Sequence, residues 1–249
     1  MSKPIALVTG GAKRVGRAIV EDLAANGFCV GIHANSSLDA AQTLADTLGD
    51  CAFAVHCDLN DTAAAAKMID DIVRARGPIN LLVNNASTFE KDELGALDSA
   101  LWDTHFAVHV KTPAFMVQQV AKHHRPGTRC LVVNIIDQRV WRLTPNFFSY
   151  TASKAALWAA TQTMAQALAP SIRVNAIGPG PTLKNVRQAE EDFQQQIDAL
   201  PLQRGPALAE FGATIRYLWN APSVTGQMIA LDGGQHLAWE TPDVAGINE

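Results

Sequence analysis

Residues 5–16, IALVTGGAKRVG, combine the three features that decide the fold: a short apolar run, a glycine turn and the start of an amphipathic helix. Val15, Ile19 and Leu23 recur at helical spacing after the glycines. A glycine turn between a strand and a helix lets backbone N–H groups approach a phosphate, and the helix N-terminus adds partial positive charge. The segment therefore predicts a strand, a nucleotide-binding turn and a helix.

Six further apolar runs follow, separated by segments of helical periodicity. They read FCVGIHA, CAFAVHCDL, INLLVNNA, RCLVVNII, IRVNAIGPG and MIALDGG. Most lack polar alternation, as in strands that are covered on both faces, so they predict a parallel sheet. The alternation predicts one α/β domain over residues 1–249, a Rossmann-type doubly wound sheet of seven strands with helices on both faces. Gly27 is predicted to stop the first helix, and Ser37 to begin the second.

The composition excludes several functional classes. The 249 residues are 48% hydrophobic, carry a formal net charge of −4 and contain no long run of like charge. Without a basic patch, the chain is not expected to bind nucleic acid or an anionic membrane. No apolar run reaches the ~18 residues of a membrane span, and the first residues do not resemble a signal peptide, so a cytoplasmic protein is predicted. The four cysteines, which show no C-x-x-C spacing, are predicted to be buried thiols.

Residues 181–206 interrupt the alternation of strands and helices. They contain VRQAEEDFQQQIDAL, which is polar, rich in glutamine and predicted to be helical. A polar excursion after the sixth strand is interpreted as a substrate lid over a cleft. A solvated surface insertion is the alternative.

Four segments together resemble the short-chain dehydrogenase/reductases. Residues 9–16 resemble that family's T-G-x-x-x-G-x-G, with Arg14 at the middle glycine, and residues 84–87, NNAS, resemble its N-N-A-G. Asp58 follows the third strand, and GPG, residues 178–180, ends the sixth. All lie at carboxyl ends of predicted strands, where open α/β sheets bind ligands. The resemblance covers essentially the whole chain and implies that a nicotinamide dinucleotide is bound by Gly10, Lys13, Arg14, Val15, Gly16, His33, Asn35, Ser36, Ser37, Asp58, Leu59, Asn85, Ala86, Ser87, Tyr150, Lys154, Pro179, Gly180 and Thr182.

The end of the second strand indicates NADP rather than NAD. An acid there would accept hydrogen bonds from the ribose 2′-hydroxyl and repel a 2′-phosphate. Ala34 and Asn35 occupy the place of that acid, and Lys13 can reach toward the same corner, where Ser36 and Ser37 can donate hydroxyls. Alternatively, Lys13 is an ordinary solvated lysine.

Tyr150 and Lys154 are four residues apart and share a face of a predicted helix. Within the resemblance they form the catalytic pair. The ammonium group of Lys154 is expected to lower the pKa of the Tyr150 phenol toward neutrality and so make it a usable proton donor. Two surface residues at this spacing are the alternative.

Asp137 lies thirteen residues before Tyr150, where most of the family has serine. An ionised aspartate cannot donate a hydrogen bond to a carbonyl oxygen, and it would repel a developing oxyanion. Asp137 therefore argues against an ordinary ketone as substrate. It suits a nitrogen heterocycle, which offers N–H donors or a C=N bond whose nitrogen takes a proton as hydride reaches carbon.

Several departures from the parent pattern resemble the pteridine reductases. They are Lys13 with Arg14, Ser87 with Phe89, Asp137, and a smaller match at His33 and Ser37, although Ser36 stands where the pteridine reductases have a basic residue. Alternatively, Phe89 is a core aromatic residue and Arg14 a solvated residue at the helix start. The resemblance implies NADPH-dependent reduction of a dihydropterin, with hydride passing to a ring carbon and a proton to the adjacent nitrogen. It also implies that the substrate stacks on Phe89 and contacts Arg14, Ser87, Asp137 and Tyr150.

His109 falls where the family has asparagine in a tetrad with Ser, Tyr and Lys, which puts a relay through that asparagine in doubt. Bacterial dihydromonapterin reductases are similar at this position, so the resemblance favours a bacterial pterin reductase. His105 and His109 have i,i+4 spacing, but Phe106 stands where H-E-x-x-H requires Glu, and no third ligand is evident. No metal is therefore predicted. Family resemblance also implies a homotetramer that forms through helices four and five.

Two other functions remain open. The first is a short-chain reductase of another heterocycle or carbonyl compound, in which Asp137 has an altered role. The second is an NADP-sensing protein without turnover, although a sensor needs neither Tyr150 nor Lys154. Consumption of NADPH separates both enzyme hypotheses from the sensor.

Overall fold

The computed structural model describes residues 3–185, 187–240 and 245. Seven strands form one sheet in the order β3-β2-β1-β4-β5-β6-β7, and every neighbouring pair is parallel. The strands are β1 Ile5–Val8, β2 Cys29–Ala34, β3 Ala52–His56, β4 Ile79–Asn84, β5 Leu131–Ile135, β6 Arg173–Pro179 and β7 Met228–Leu231. Each predicted apolar run contains one of these strands, so the predicted Rossmann-type fold class is confirmed.

The helices cover both faces of the sheet. They are α1 Arg14–Ala25, α2 Leu38–Leu48, α3 Thr62–Arg76, α4 Ser99–Phe106, α5 Thr112–His123, α6 Phe148–Leu168, α7 Glu190–Asp198 and α8 Leu208–Asn220. A π-helical turn, Ala107–Lys111, joins α4 to α5, and 3-10 turns lie at Leu94–Ala96, Gln138–Val140 and Gln235–Leu237. One core cluster joins α1, α2 and α8 to the sheet, and a second joins α3, α5 and α6 to its other face.

Alternate residues of β1 show why the strand runs are apolar throughout. Ala6 and Val8 pack into the first cluster, whereas Ile5 and Leu7 pack into the second. Because successive side chains of a strand point to opposite faces, a strand that is covered on both faces needs an apolar residue at every position.

Both predicted helix boundaries on either side of β2 are confirmed. Gly27 lies just beyond α1 with a φ of 90°, and the N–H of Phe28 donates to Leu23 O, which ends the helix in the left-handed conformation that glycine adopts at little cost. Ser37 is the residue that precedes α2, although its side chain makes no capping hydrogen bond.

The prediction that all four cysteines are buried is wrong for two of them. Cys57 and Cys130 are buried, but Cys29 and Cys51 are only partly covered. Cys51 precedes β3, the edge strand of the sheet, and Cys29 begins the neighbouring strand, so both lie where the sheet is covered incompletely. Among the described helices, none is long and apolar enough to cross a membrane.

Candidate active site

A cavity of about 800 Å³ opens at the carboxyl ends of the strands. The segments that follow β1 to β6 all contribute to its wall. Of the residues predicted to bind cofactor or substrate, every one except Lys154 lines it: Gly10, Lys13, Arg14, Val15, Gly16, His33, Asn35, Ser36, Ser37, Asp58, Leu59, Asn85, Ala86, Ser87, Phe89, Asp137, Tyr150, Pro179, Gly180 and Thr182. The topology thus brings together segments that are far apart in sequence, as expected for an open parallel sheet.

The glycine turn after β1 has no room for side chains. Gly10 has a φ of 61°, and a Cβ on Gly16 would lie 2.1 Å from Gly10 O. The turn is held by His33, whose Nδ1 accepts from the Gly10 N–H at 3.2 Å and whose Nε2–H donates to Cys57 O at 3.0 Å. Burial lowers the pKa of His33 and favours this neutral form. Both ring nitrogens of His33 are therefore committed to protein backbone, and His33 positions the turn.

Arg14 occupies the middle glycine position of the motif with a φ of 52°. This left-handed conformation explains why glycine suits the position in the parent pattern. The guanidinium Nη2 donates to Leu183 O at 3.1 Å and to Lys184 O at 3.2 Å. Arg14 thus links the nucleotide turn directly to the segment that follows β6.

The corner beyond β2 is polar and open. Lys13, Asn35 and Ser36 are exposed and line the cavity, and Lys13 forms no ion pair with any described residue. Within the described cavity wall, carboxylates come only from Asp58 and Asp137. No acid therefore stands beside Lys13 at the end of β2.

Asp137, Tyr150 and Lys154 converge at the end of β5. The Tyr150 hydroxyl donates to Asp137 Oδ2 at 2.9 Å, and the Arg139 N–H donates to Asp137 Oδ1 at 2.9 Å. The Lys154 Nζ donates to Ile135 O at 2.9 Å, and the side chain is only 2% exposed. Lys154 is therefore bonded to the strand end and does not line the cavity.

The expectation that the pKa of Tyr150 is lowered toward neutrality is wrong for this structure. Burial raises the pKa of Tyr150 well above its ordinary value, and the charge and hydrogen bond of Asp137 raise it further. Burial also lowers the pKa of Lys154 to about 8. Desolvation and the nearby carboxylate thus outweigh the lowering effect of the Arg139 charge on the Tyr150 pKa, and Tyr150 retains its proton as a hydrogen-bond donor.

Phe89 forms an aromatic wall of the cavity. Its ring stacks on Phe147 with centroids 4.3 Å apart and an interplanar angle of 9°, and it meets Tyr150 edge to face at 4.7 Å. Phe89 lines the cavity but Phe147 does not. Phe147 therefore supports Phe89 from behind and fixes the orientation of the ring.

His109 lies in the π-helical turn and ties three segments together. Its Nε2 accepts from the Thr88 N–H at 3.2 Å and lies 2.9 Å from Ser87 Oγ. Its Nδ1 therefore carries the proton and donates to Ser153 Oγ at 2.8 Å, and Ser153 donates to the main-chain oxygen of Tyr150. Burial and the Lys154 charge lower the pKa of His109 well below its ordinary value. Since this chain of hydrogen bonds ends at a backbone carbonyl, it positions Tyr150 but does not carry protons to its hydroxyl.

Other cavity-lining residues lay outside the sequence predictions. Gln138 and Arg139 follow Asp137 directly, and Gln188, Phe193 and Gln196 come from the segment around α7. Gln138 and Arg139 could have been predicted as cavity-lining residues, because they belong to the same turn after β5 as Asp137. The sequence carries no comparable signal for the α7 residues, because their approach depends on how that segment folds back.

The comparison with known families agrees with this arrangement. The family model adh_short_C2, described as Enoyl-(Acyl carrier protein) reductase, matches residues 10–236. The chain belongs to the short-chain dehydrogenase/reductase family. The predicted family is thus confirmed, and this short-chain reductase has the cofactor turn and the Tyr150–Lys154 pair at the places where the family pattern has them.

Several individual proteins of known structure or activity are similar to this chain over nearly its whole length. A crystal structure of FolM Alternative dihydrofolate reductase 1 from Brucella suis in complex with NADP is 58% identical, with a TM-score of 0.95 over 98% of this chain and 99% of that chain. Pteridine reductase 1 of Leishmania tarentolae is 29% identical over 94% of this chain and 96% of its own length. Dihydromonapterin reductase of Shigella boydii serotype 4 is 26% identical over 93% and 96%.

Proposed function

We propose that this short-chain reductase uses NADPH to reduce a dihydropterin-like nitrogen heterocycle. The observation that carries the proposal is the Asp137 carboxylate, which is held by the Tyr150 hydroxyl and the Arg139 N–H beside the aromatic wall of Phe89. The names of the relatives from Brucella, Leishmania and Shigella support the substrate class, and the NADP complex of the Brucella protein supports the cofactor.

The cavity suits a nicotinamide dinucleotide. A Cβ on Gly16 would clash with Gly10 O, and one on Gly10 would crowd Ala86, so the two glycines let the turn pack closely at the start of α1, where a pyrophosphate would bind. Lys13, Ser36 and Ser37 would hold the 2′-phosphate corner, and Thr182 the carboxamide end. When bound, NADPH supplies the hydride for the ring carbon.

The protein's own contribution is recognition and proton delivery. Asp137 offers about four lone-pair sites, of which Tyr150 and the Arg139 N–H use one each, so substrate N–H groups can bind to the others. Tyr150 keeps its proton because burial and Asp137 raise its pKa. We assign the Tyr150 hydroxyl as the group that donates a proton to the ring nitrogen.

The preference for NADPH provides one test. Lys13→Ala is expected to weaken NADPH binding while leaving NADH binding nearly unchanged, because only the former carries a phosphate for the lysine. A charge-assisted contact of this kind contributes roughly 1.5–3 kcal/mol, or about a tenfold to hundredfold change in affinity. Titration calorimetry with both cofactors measures the difference. Lys67→Ala, which alters an exposed side chain of α3, is the control. Equal Kd values of the wild type for the two cofactors would contradict the assignment.

Phe89 provides a second test. Phe89→Ala is expected to weaken pterin binding by roughly 0.5–1.5 kcal/mol beyond the loss of buried area, because a stacking partner is removed. Binding of NADPH should change less. The measurement is the Kd of each ligand, with Tyr217→Ala, an exposed position on α8, as the control. Unchanged affinity for both ligands in a folded Phe89→Ala protein would show that Phe89 only fills space.

We propose that residues 181–206 form a lid within a single domain that spans residues 1–249; Val186 lies outside the described residues. Phe193 and Gln196 of α7 line the cavity. Arg187 of the lid donates to the Glu90 carboxylate and to Phe89 O, and Arg14 of the turn after β1 donates to the lid backbone. One arginine of the lid and one of the turn after β1 thus support a closed lid.

The ion pair between Arg187 of the lid and Glu90 is expected to have a modest effect on substrate binding. Glu90→Gln removes the charge that Arg187 binds, and an exposed ion pair contributes about 0.2–1 kcal/mol, so KM for the pterin should rise by roughly one-and-a-half- to fivefold. Limited proteolysis within residues 181–206 should become faster. Glu93→Gln, on the same loop but without an ion pair among the described residues, is the control. Identical proteolysis rates for both variants would leave the segment as a surface insertion.

The function itself is tested by NADPH oxidation with dihydromonapterin, dihydrobiopterin, dihydrofolate and simple ketones. Turnover of at least one pterin and little or none of the ketones is the expected result. Turnover of ketones alone would favour a different short-chain reductase. Binding of NADPH without any oxidation would favour a sensor.

We also propose a cytoplasmic homotetramer that assembles through α4 and α5. Phe115 on α5 is 45% exposed, which supports an interface on that face, and the free thiols of the described residues support a reducing compartment. Sedimentation velocity of the wild type and of Phe115→Glu tests the assembly, and cell fractionation tests the location. A monomeric wild type would contradict the tetramer.

A further inference from the structure

Arg139 borders the aromatic wall of the proposed substrate site. Its guanidinium carbon lies 5.4 Å from the centre of the Phe89 ring and 5.1 Å from that of Phe147, while the two ring centres are 4.3 Å apart. Because it is nearly equidistant from both rings, the guanidinium does not lie on the side of Phe89 that faces away from Phe147. That face is therefore not covered by Arg139, whose cation sits at the rim of the wall and 6.0 Å from the Tyr150 ring centre.

The guanidinium is unpaired within the described part of the chain. Its Nη1 is covered from solvent and has no hydrogen-bond partner, and no carboxylate lies within ion-pair distance. Arginines with a structural role look different in this protein: Arg173 donates to three backbone carbonyls, and Arg216 binds Asp22 through two nitrogens. Apart from its cation–π contacts with the neighbouring rings, the guanidinium has no partner among the described residues. Its nitrogens other than the covered Nη1 are therefore available to an acceptor that enters the cavity, which Arg139 lines.

We propose that Arg139 recognises an acceptor oxygen of the substrate and thereby selects among nitrogen heterocycles. The proposal rests on the pterin reductase function and deepens it. A guanidinium group only donates and a carboxylate only accepts, so Arg139 and Asp137, two residues apart on one turn, present opposite hydrogen-bonding characters to the same cavity. A heterocycle with an N–H group next to an oxygen acceptor matches that pair.

The oxygen can come from two places on the substrate. One is the ring carbonyl of a 2-amino-4-oxo heterocycle, and the other is a carboxylate on a side chain. Dihydrobiopterin has the first without the second, whereas dihydrofolate has both. Comparing these two substrates therefore distinguishes the sources.

The experiment is steady-state kinetics of Arg139→Met with both substrates. Methionine retains the apolar packing against Phe89 and Phe147, so the variant is expected to fold. We expect KM to rise about tenfold to hundredfold, kcat to change little and the Kd of NADPH to stay constant, because a charge-assisted hydrogen bond is lost only from the substrate. An increase for both substrates identifies the ring carbonyl, and an increase for dihydrofolate alone identifies the carboxylate.

The matched control is Arg142→Met, which makes the same substitution three residues further on at an exposed position outside the cavity wall. It should leave both KM values unchanged, and Arg139→Lys should recover part of the loss. If the wild type is active and Arg139→Met leaves both KM values unchanged, the proposed role of Arg139 is wrong, whether or not kcat falls. The proposed function is not affected by that result. A wild type that oxidises NADPH with neither pterin contradicts the proposed function instead.

Discussion

Asp137→Ser is expected to lower kcat/KM for a dihydropterin by roughly 10²- to 10⁴-fold, because it removes the carboxylate that orients the Tyr150 hydroxyl for proton transfer. Asp137 accepts the Tyr150 hydroxyl at Oδ2 and has free lone pairs for substrate N–H groups. Serine restores the residue that most of the family has at this position, so slight reduction of an activated ketone should appear at the same time. The measurement is kcat/KM of wild type and variant on one pterin and one ketone.

Asp98→Ser is a suitable control for that substitution. Asp98 also precedes a helix and accepts backbone N–H groups, those of Ala100 and Leu101, but it does not line the cavity. The loss of activity should therefore be confined to Asp137. If Asp137→Ser reduces the pterin at the wild-type rate, Asp137 has no chemical role and the pterin assignment loses its main physical support.

Tyr150→Phe should produce a loss of similar size, roughly 10²- to 10⁴-fold in kcat, because it removes the hydroxyl that we propose as the proton donor. NADPH binding should survive, since the Lys154 Nζ donates to Ile135 O and does not depend on the phenol. The chain has two tyrosines, and Tyr217→Phe on α8, 57% exposed, is the matched control. Comparable kcat values for Tyr150→Phe and the wild type would assign proton delivery to another group.

The strands were predictable because their information is local. A strand such as β4 or β5 is mostly apolar because helices cover both of its faces. That pattern can be recognised in the sequence without knowing which helices pack against the strand. The cavity-lining residues at the strand ends were predictable for a related reason, whereas those around α7 were not. Short motifs at the ends of parallel strands meet at one edge of the sheet whatever the details of packing.

Features that depend on distant contacts were not predictable. The π-helical turn at His109 is accompanied by hydrogen bonds to Ser87, Thr88 and Ser153, which belong to other segments. The direction of the Tyr150 pKa shift follows from burial and from the distance to Asp137, and neither can be read from a four-residue spacing. The unpaired state of Arg139 likewise becomes visible only when the aromatic wall is in place.

The left-handed backbone at Arg14 has a consequence for protein engineering. A non-glycine residue in this conformation costs about 1–2 kcal/mol relative to glycine, so a consensus-guided search for thermostability would choose glycine at position 14. That choice would also remove the two hydrogen bonds that join the nucleotide turn to Leu183 and Lys184. A more heat-resistant enzyme obtained in this way would gain thermal stability and lose part of the attachment between the glycine turn and the segment that follows β6.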